Sequence, residues 1–279
     1  MADAAFGKNP IGIIQGRLTP SGGKLQCFPY GKWREEFLVA KTVGFDCIEL
    51  IVERPVDAQN PIWDPEGVQG LIEASKESGV RTLSITDDRI MEAGLLKSDG
   101  SEAAVSFDGT VKLIRQMAKI GATRLILPFL EQASLKDDRE GFLAVRIHLE
   151  KLVPIAEESG VTLMLENDLP TDMLKDLVST TDGKIGVCYD TGNRAYFGYD
   201  PSEILELVGL IQHVHIKDKE HGGKNVMLGK GKVDFRAVFS NLKSIGYGGP
   251  LILETSRGDE DVQAGRENLA FVKDFLREA

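Results

Sequence analysis

Residues 160–190 read GVTLMLENDLPTDMLKDLVSTTDGKIGVCYD, and the pattern inside them decides the fold. A glycine opens the stretch, and the run Thr162–Leu165 follows with no internal polar alternation. Such a run is what a parallel strand buried on both faces requires. A helical pattern, Asp172–Ser179, comes next, and a second apolar run, Ile185–Tyr189, completes the unit. Both runs lead directly into an acid, Glu166 and Asp190.

The same alternation extends in both directions. Strand candidates lie at Ile11–Ile14, Cys47–Val52, Arg81–Ile85 and Arg124–Leu127 upstream, and at His213–Lys217 and Leu251–Leu253 downstream. Helical patterns lie between and after them, at Trp33–Val43, Pro65–Ser78, Phe107–Lys119, Arg139–Ser159, Pro201–Leu207, Phe235–Ser244 and Asp261–Arg277. Gly44, Gly79, Gly121, Gly160 and Gly246 each stand between a helix and the next strand, where a left-handed residue commonly ends a helix. Pro65 and Pro201 each follow an aspartate, which suits a capped first turn. Eight strands, each followed by a helix, predict an α/β protein of the (β/α)8 TIM-barrel class, one domain over residues 1–279. A doubly wound sheet is the alternative. Against it, the first strand runs into QGRLTP rather than into a glycine-rich dinucleotide turn.

Composition narrows the function. Acidic residues number 43 against 33 lysines and arginines, a formal charge of −10. That balance argues against a nucleic-acid partner, whose affinity rests on cations that neutralise phosphates, but it leaves room for a small phosphorylated ligand in a local basic pocket. Cys27, Cys47 and Cys188 show no paired spacing and read as reduced thiols. The N-terminal MADAAFGKNP lacks the basic-then-apolar pattern of a signal peptide, and no segment approaches the ~20 apolar residues of a bilayer span. A soluble cytoplasmic protein with no membrane partner is expected; a homo-oligomer stays open.

In a barrel, chemistry sits where strands end and the following loops begin. The last four strands carry Glu166, Asp190, His215 and Glu254 at corresponding places, so their side chains can converge on one point. Three carboxylates packed together need a cation to offset their repulsion. An oxygen-rich set with one imidazole suits one divalent metal ion: Mn²⁺ first, with Mg²⁺, Co²⁺ or Zn²⁺ as alternatives. His213 competes with His215, because both face the same side of a strand. His215 lies nearer the strand's C-terminal end and is the chosen ligand, with His213 read as a packed interior residue.

These strand ends, with the motifs GIIQGRL, GFDCIEL, LEND, YDTGN, HVHIKD, GKGKVDF and LILETS, resemble the xylose isomerase-like barrel superfamily. The likeness is greater to its sugar phosphate isomerase/epimerase branch, which includes ketose 3-epimerases and pentulose-phosphate 3-epimerases. It runs from about Ile11 to the last helix. The resemblance implies the same metal ligands, Glu166, Asp190, His215 and Glu254, and a ketose or ketose phosphate as substrate. Some epimerases of the branch carry a histidine three residues after the metal-binding aspartate; here that residue is Asn193.

The chemistry expected is proton transfer beside a carbonyl. Glu166 and Glu254 would serve as acid and base across the substrate, through a metal-stabilised enediolate. Arg17, Glu49, Asp87, Asn193 and Lys217 ring the expected mouth as substrate-binding candidates. Four of them have a plainer reading too: an ion pair between Arg17 and Glu49, a loop cap by Asp87, charge balance by Lys217. Gly229 and Gly231 shape a loop after the seventh strand, and one GxG is weak evidence for phosphate, with Lys230 read equally as a phosphate contact or as surface. Three other functions compete. They are an inosose dehydratase-like lyase, a metal-dependent abasic-site endonuclease, and a non-catalytic sugar-binding barrel.

Overall fold

The computed structural model describes residues 5–53, 59–93 and 101–278. The first four residues of the N-terminal stretch discussed above fall outside that range. Eight strands form a closed barrel in the order β1 (Ile11–Ile14), β10 (Leu251–Leu253), β7 (Ile211–Ile216), β6 (Gly186–Asp190), β5 (Thr162–Asn167), β4 (Arg124–Phe129), β3 (Arg81–Asp87) and β2 (Cys47–Val52). β1 pairs in parallel with β10 and β2, β10 with β7, β3 with β4, β4 with β5, and β5 with β6. A small antiparallel pair, β8 (Asp218–Lys219) with β9 (Asn225–Val226), is inserted after β7.

Every strand predicted from the sequence is present. The strands are buried almost throughout, as the absence of polar alternation required. Each buried Leu, Ile or Val side chain contributes roughly 1.5–3 kcal/mol relative to an exposed one. The five glycines placed at helix ends all take positive φ, between +67° and +103°. Asp64 accepts a hydrogen bond from the Gly67 amide at 2.8 Å and so caps α2 (Pro65–Ser78).

Boundaries shift where periodicity is silent. β7 starts at Ile211 rather than His213, and α4 (Ser101–Ile120) starts before Phe107. The helix expected over Pro201–Leu207 shrinks to α8 (Glu203–Glu206), because Asp200 binds the Ser202 amide at 2.8 Å in a local turn. Two short helices went unread, α3 (Arg89–Ala93) and α7 (Thr191–Tyr196). The second, TGNRAY, holds poor helix formers and is nucleated by its cap, Asp190. The remaining helices are α1 (Trp33–Val43), α5 (Arg139–Glu158), α6 (Thr171–Ser179), α9 (Phe235–Ser244) and α10 (Asp261–Arg277).

The chain divides into two packed units, residues 1–49, 78–81 and 188–279, and residues 50–77 and 82–187. In the first, α1 packs on α10, and Phe37, Ile48, Val214, Ile252 and Val272 are fully buried. In the second, α4 packs on α5, with Leu113, Leu125, Leu149 and Leu163 inside. Among the described residues no helix is long and apolar enough to cross a membrane.

Candidate metal centre

The first unit brings most of the candidate residues together. Register sets their level: Ile14 lies beside Glu49, and Ile252 beside His215, one step before the Glu254 amide donates to the Ile216 carbonyl at 3.1 Å. Asp190, His215 and Glu254 each offer a ligand atom, and these atoms lie within 4.8 Å of one another.

The YDTGN motif builds this corner locally. Asp190 ends β6 and caps α7: its Oδ1 accepts from the Asn193 amide at 2.7 Å, which leaves Oδ2 turned toward β7. Thr191 Oγ1 donates to the Lys217 carbonyl at 2.7 Å and stands 2.9 Å from the Lys217 amide, which donates to it. Gly192 lets the lysine stem pass, since a Cβ there would sit 2.8 Å from Lys217 Cγ. Asn193 is itself buried.

Lys217 carries its ammonium into the acids, 2.9 Å from Asp190 Oδ2 and 2.7 Å from Glu254 Oε1. Glu254 Oε2 lies 3.1 Å from His215 Nδ1, and Arg17 Nη2 lies 4.0 Å from Glu254 Oε1. Burial alone would push the Glu254 carboxyl up, but Lys217, His215 and Arg17 outweigh it and hold the group below the usual carboxylate range. With 12% of its side chain exposed, Glu254 is the least buried member of the set.

Glu49 sits beneath. Its two oxygens lie 2.8 Å from His213 Nε2 and 2.8 Å from His215 Nε2. All three side chains are fully buried. Burial opposes the charge on Glu49, yet the two imidazoles hold its carboxyl well below the ordinary range. His213 is thus a packed interior residue with a specific task, to share Glu49 with His215.

Arg17 spends its donors on the protein: Nε on the Thr255 carbonyl at 2.9 Å, Nη1 on the Leu25 carbonyl at 2.6 Å, and Nη2 on Gln26 Oε1 at 3.1 Å. In the second unit Glu166 is buried in β5, opposite Pro128 of β4. Asp87, also there, forms a bidentate pair with Arg89 at 2.6 and 2.7 Å, and the Arg89 guanidinium lies 5.0 Å from the Trp63 ring centre.

Several residues escaped the sequence reading. Asp218 of HVHIKD turns toward the following loop, where its Oδ2 accepts from the amides of Gly229 (3.0 Å) and Gly231 (2.8 Å) and its Oδ1 from Val233 (3.1 Å). The amides of the GxG motif therefore serve this carboxylate, and Lys230 is exposed. Glu36 and Arg257 hold the loop after β1. An acid in the first turn of α1, followed by Phe37 and Ala40 on its buried face, was the available signal for Glu36.

A family model described as xylose isomerase-like TIM barrel matches residues 37–275. Among curated proteins, the L-ribulose-5-phosphate 3-epimerase UlaE of Escherichia coli is 29% identical over 260 residues, 88% of this chain and 86% of that protein. Among solved structures, an L-ribulose 3-epimerase superposes with a TM-score of 0.74 at 20% identity, covering 96% of this chain and 94% of its own. A xylose isomerase-like TIM barrel protein from Mycobacterium smegmatis, in complex with magnesium, gives 0.73 at 18% identity, with 99% of each chain covered. The chain belongs to the xylose isomerase-like TIM-barrel family.

Proposed function

We propose that this protein is a divalent-metal-dependent epimerase or isomerase of a ketose or ketose phosphate. The observation that carries the reading is the convergence of Asp190, His215 and Glu254, with ligand atoms within 4.8 Å of one another at the ends of adjacent strands. Glu166 completes the set in this proposal: it stands near the end of β5 as Asp190 ends β6, and the two strands are neighbours in the barrel order. Two or three carboxylates and one imidazole, without a thiolate, suit a hard cation with open positions. Mn²⁺ is the first choice, and the magnesium held by the Mycobacterium smegmatis relative points to the same class of ion. When bound, the cation supplies Lewis acidity to a ketose carbonyl and steadies the charge of an enediolate.

The chain's own residues move the proton. Glu254, held ionised by Lys217, His215 and Arg17, takes the proton from the carbon beside the carbonyl. Glu166 returns one from the opposite face, which inverts that carbon; return to the neighbouring carbon would give isomerisation. Asp190 is fixed by its cap, and Thr191 holds the Lys217 backbone while the Lys217 ammonium pairs with Asp190 and Glu254. In this reading Lys217 and Asn193 contact the substrate, with Arg17 4.0 Å from Glu254. Asp87, neutralised by Arg89, is the remaining candidate contact. The names of the relatives, an L-ribulose-5-phosphate 3-epimerase and an L-ribulose 3-epimerase, support the substrate class.

The test is metal analysis of the purified protein, followed by deuterium incorporation from D₂O into L-ribulose 5-phosphate, L-ribulose and a set of other ketoses and ketose phosphates. Exchange of one α-proton, dependent on a divalent cation, is expected. A protein that holds no divalent cation after reconstitution and exchanges no proton on any of these sugars would overturn the proposal. Release of water to an unsaturated ketone would move it to the lyases.

A further inference from the structure

We propose that Glu36 and Arg257 are positioning residues for the reaction: they hold the loop after β1 so that Arg17 stands beside Glu254. The inference rests on the reading of Glu254 as a proton-transfer group.

Two arginines exchange places across two loops. Arg17, in the loop after β1, donates from Nε to the Thr255 carbonyl, just past β10. Arg257, in the loop after β10, donates from Nη2 to the Gly16 carbonyl at 2.6 Å and from Nη1 to the Thr19 carbonyl at 2.9 Å. Both also donate to the carbonyl of Leu25, Arg17 at 2.6 Å and Arg257 at 2.9 Å. Each loop is thereby fastened by the other's guanidinium, and the planar fork of arginine makes such multiple contacts directional.

Glu36 fastens the same loop from α1. Its carboxylate accepts from the Gly16 amide with both oxygens at 2.9 Å and from the Leu18 amide at 3.0 Å. These are the amides of the residues on either side of Arg17. Glu36 is fully buried, and a buried carboxylate is costly unless its hydrogen bonds compensate. The charged groups that face it are Arg257 and Arg17, and Arg257 is in turn balanced by Asp261 at 3.1 Å. A buried acid and Arg257 thus converge on one short peptide, and the side chain that this peptide carries, Arg17, reaches to 4.0 Å from Glu254. A loop that only needed to pack could do so with apolar side chains at these places.

The experiment is a mutant cycle on deuterium exchange with L-ribulose 5-phosphate in the Mn²⁺-loaded enzyme, joined to two measurements that need no turnover: Mn²⁺ affinity by calorimetry and amide hydrogen exchange. Arg257→Ala and Glu36→Ala should lower kcat by roughly 10- to 100-fold with KM changed by less than about threefold, the pattern of lost orientation at the reacting group. Mn²⁺ affinity should stay within about twofold of wild type, and amides of residues 16–28 should exchange at least ~10-fold faster while those of β7 and β10 hold. Glu36→Gln, which keeps an acceptor, should retain most of the rate, and added guanidinium should restore part of the Arg257→Ala rate. Arg17→Ala combined with Arg257→Ala should be no slower than Arg17→Ala alone, because residues acting as one unit are not additive.

Losses that multiply in the double variant, or unchanged exchange at residues 16–28, would overturn the clasp. A wild-type enzyme silent on every sugar overturns the functional reading instead, and the positioning role with it; an active wild type with additive losses sinks the clasp alone.

Discussion

The Glu49 carboxylate lies 2.8 Å from Nε2 of His215, on the side of the ring away from Glu254, which lies 3.1 Å from Nδ1. An ionised Glu49 can only accept, so it keeps a proton on Nε2; with a cation bound the Nδ1 lone pair would be the one to ligate it, whereas without a cation a protonated Nδ1 faces Glu254. A carboxylate behind a histidine ligand orients the ring and raises its basicity. His213 shares the same carboxylate at 2.8 Å and packs edge-on against His215, with ring centres 5.2 Å apart.

Glu49→Gln should therefore weaken Mn²⁺ binding by about 10- to 100-fold while the protein stays folded. Calorimetric titration of the metal checks it. Unchanged affinity would mean that Glu49 does not prepare His215.

The proposed acid and base make a second prediction. Glu166→Gln and Glu254→Gln should each lower α-proton exchange by roughly 10²–10⁴-fold, because each removes a proton-transfer group and keeps the volume. Far-ultraviolet circular dichroism should match wild type. Near-normal rates in both variants, on a sugar that the wild type turns over, would refute the pair.

Glu36 gives a prediction about pH. Burial raises its carboxyl from the ordinary 4.5 to about 7, against the opposing pull of the Gly16 and Leu18 amides and of Arg257 and Arg17. A folded-state value above the unfolded one means that folding favours the proton. The contribution is complete below about pH 4.5 and is lost as pH rises through 7. Relative to Glu36→Gln, the wild type should lose on the order of 3 kcal/mol of stability across that window. Urea unfolding of both proteins at several pH values measures the difference. A gap that does not change with pH, or that widens in favour of the wild type as pH rises, contradicts it.

Asp218 makes the fourth prediction. Replacing it by alanine strands the amides of Gly229, Gly231 and Val233 and should cost about 2–3 kcal/mol. Gly231→Ala should damage the same loop, because its Cβ would stand 2.3 Å from Asp218 Oδ1 and 2.5 Å from the Lys219 carbonyl. Chemical denaturation of the two variants is the measurement, and wild-type stability in both would show that the loop has another support.

The candidate site was legible to different depths. Asp190, His215 and Glu254 could be chosen because each occupies a definite place relative to a strand whose apolar run is visible in the sequence. Asp218 was passed over because nothing local marks an acid that will turn toward amides 11 to 15 residues later. Arg17 could be placed near the mouth, but its partners at Leu25 and Thr255 could not, nor could the two histidines that hold Glu49.

By itself, the sequence determined the barrel class, the order of strands and helices, the glycine helix ends and the level of the strand-end residues. Those features follow from local periodicity and backbone preference, which any window of ten to twenty residues expresses. Only the tertiary structure decided how the charges pair: Glu49 with His213 and His215, Lys217 between Asp190 and Glu254, Arg257 with Gly16. The physical reason is that a charged side chain carries no periodic signature of its partner. These partners lie 27 or more residues apart and meet only when the strands close into register.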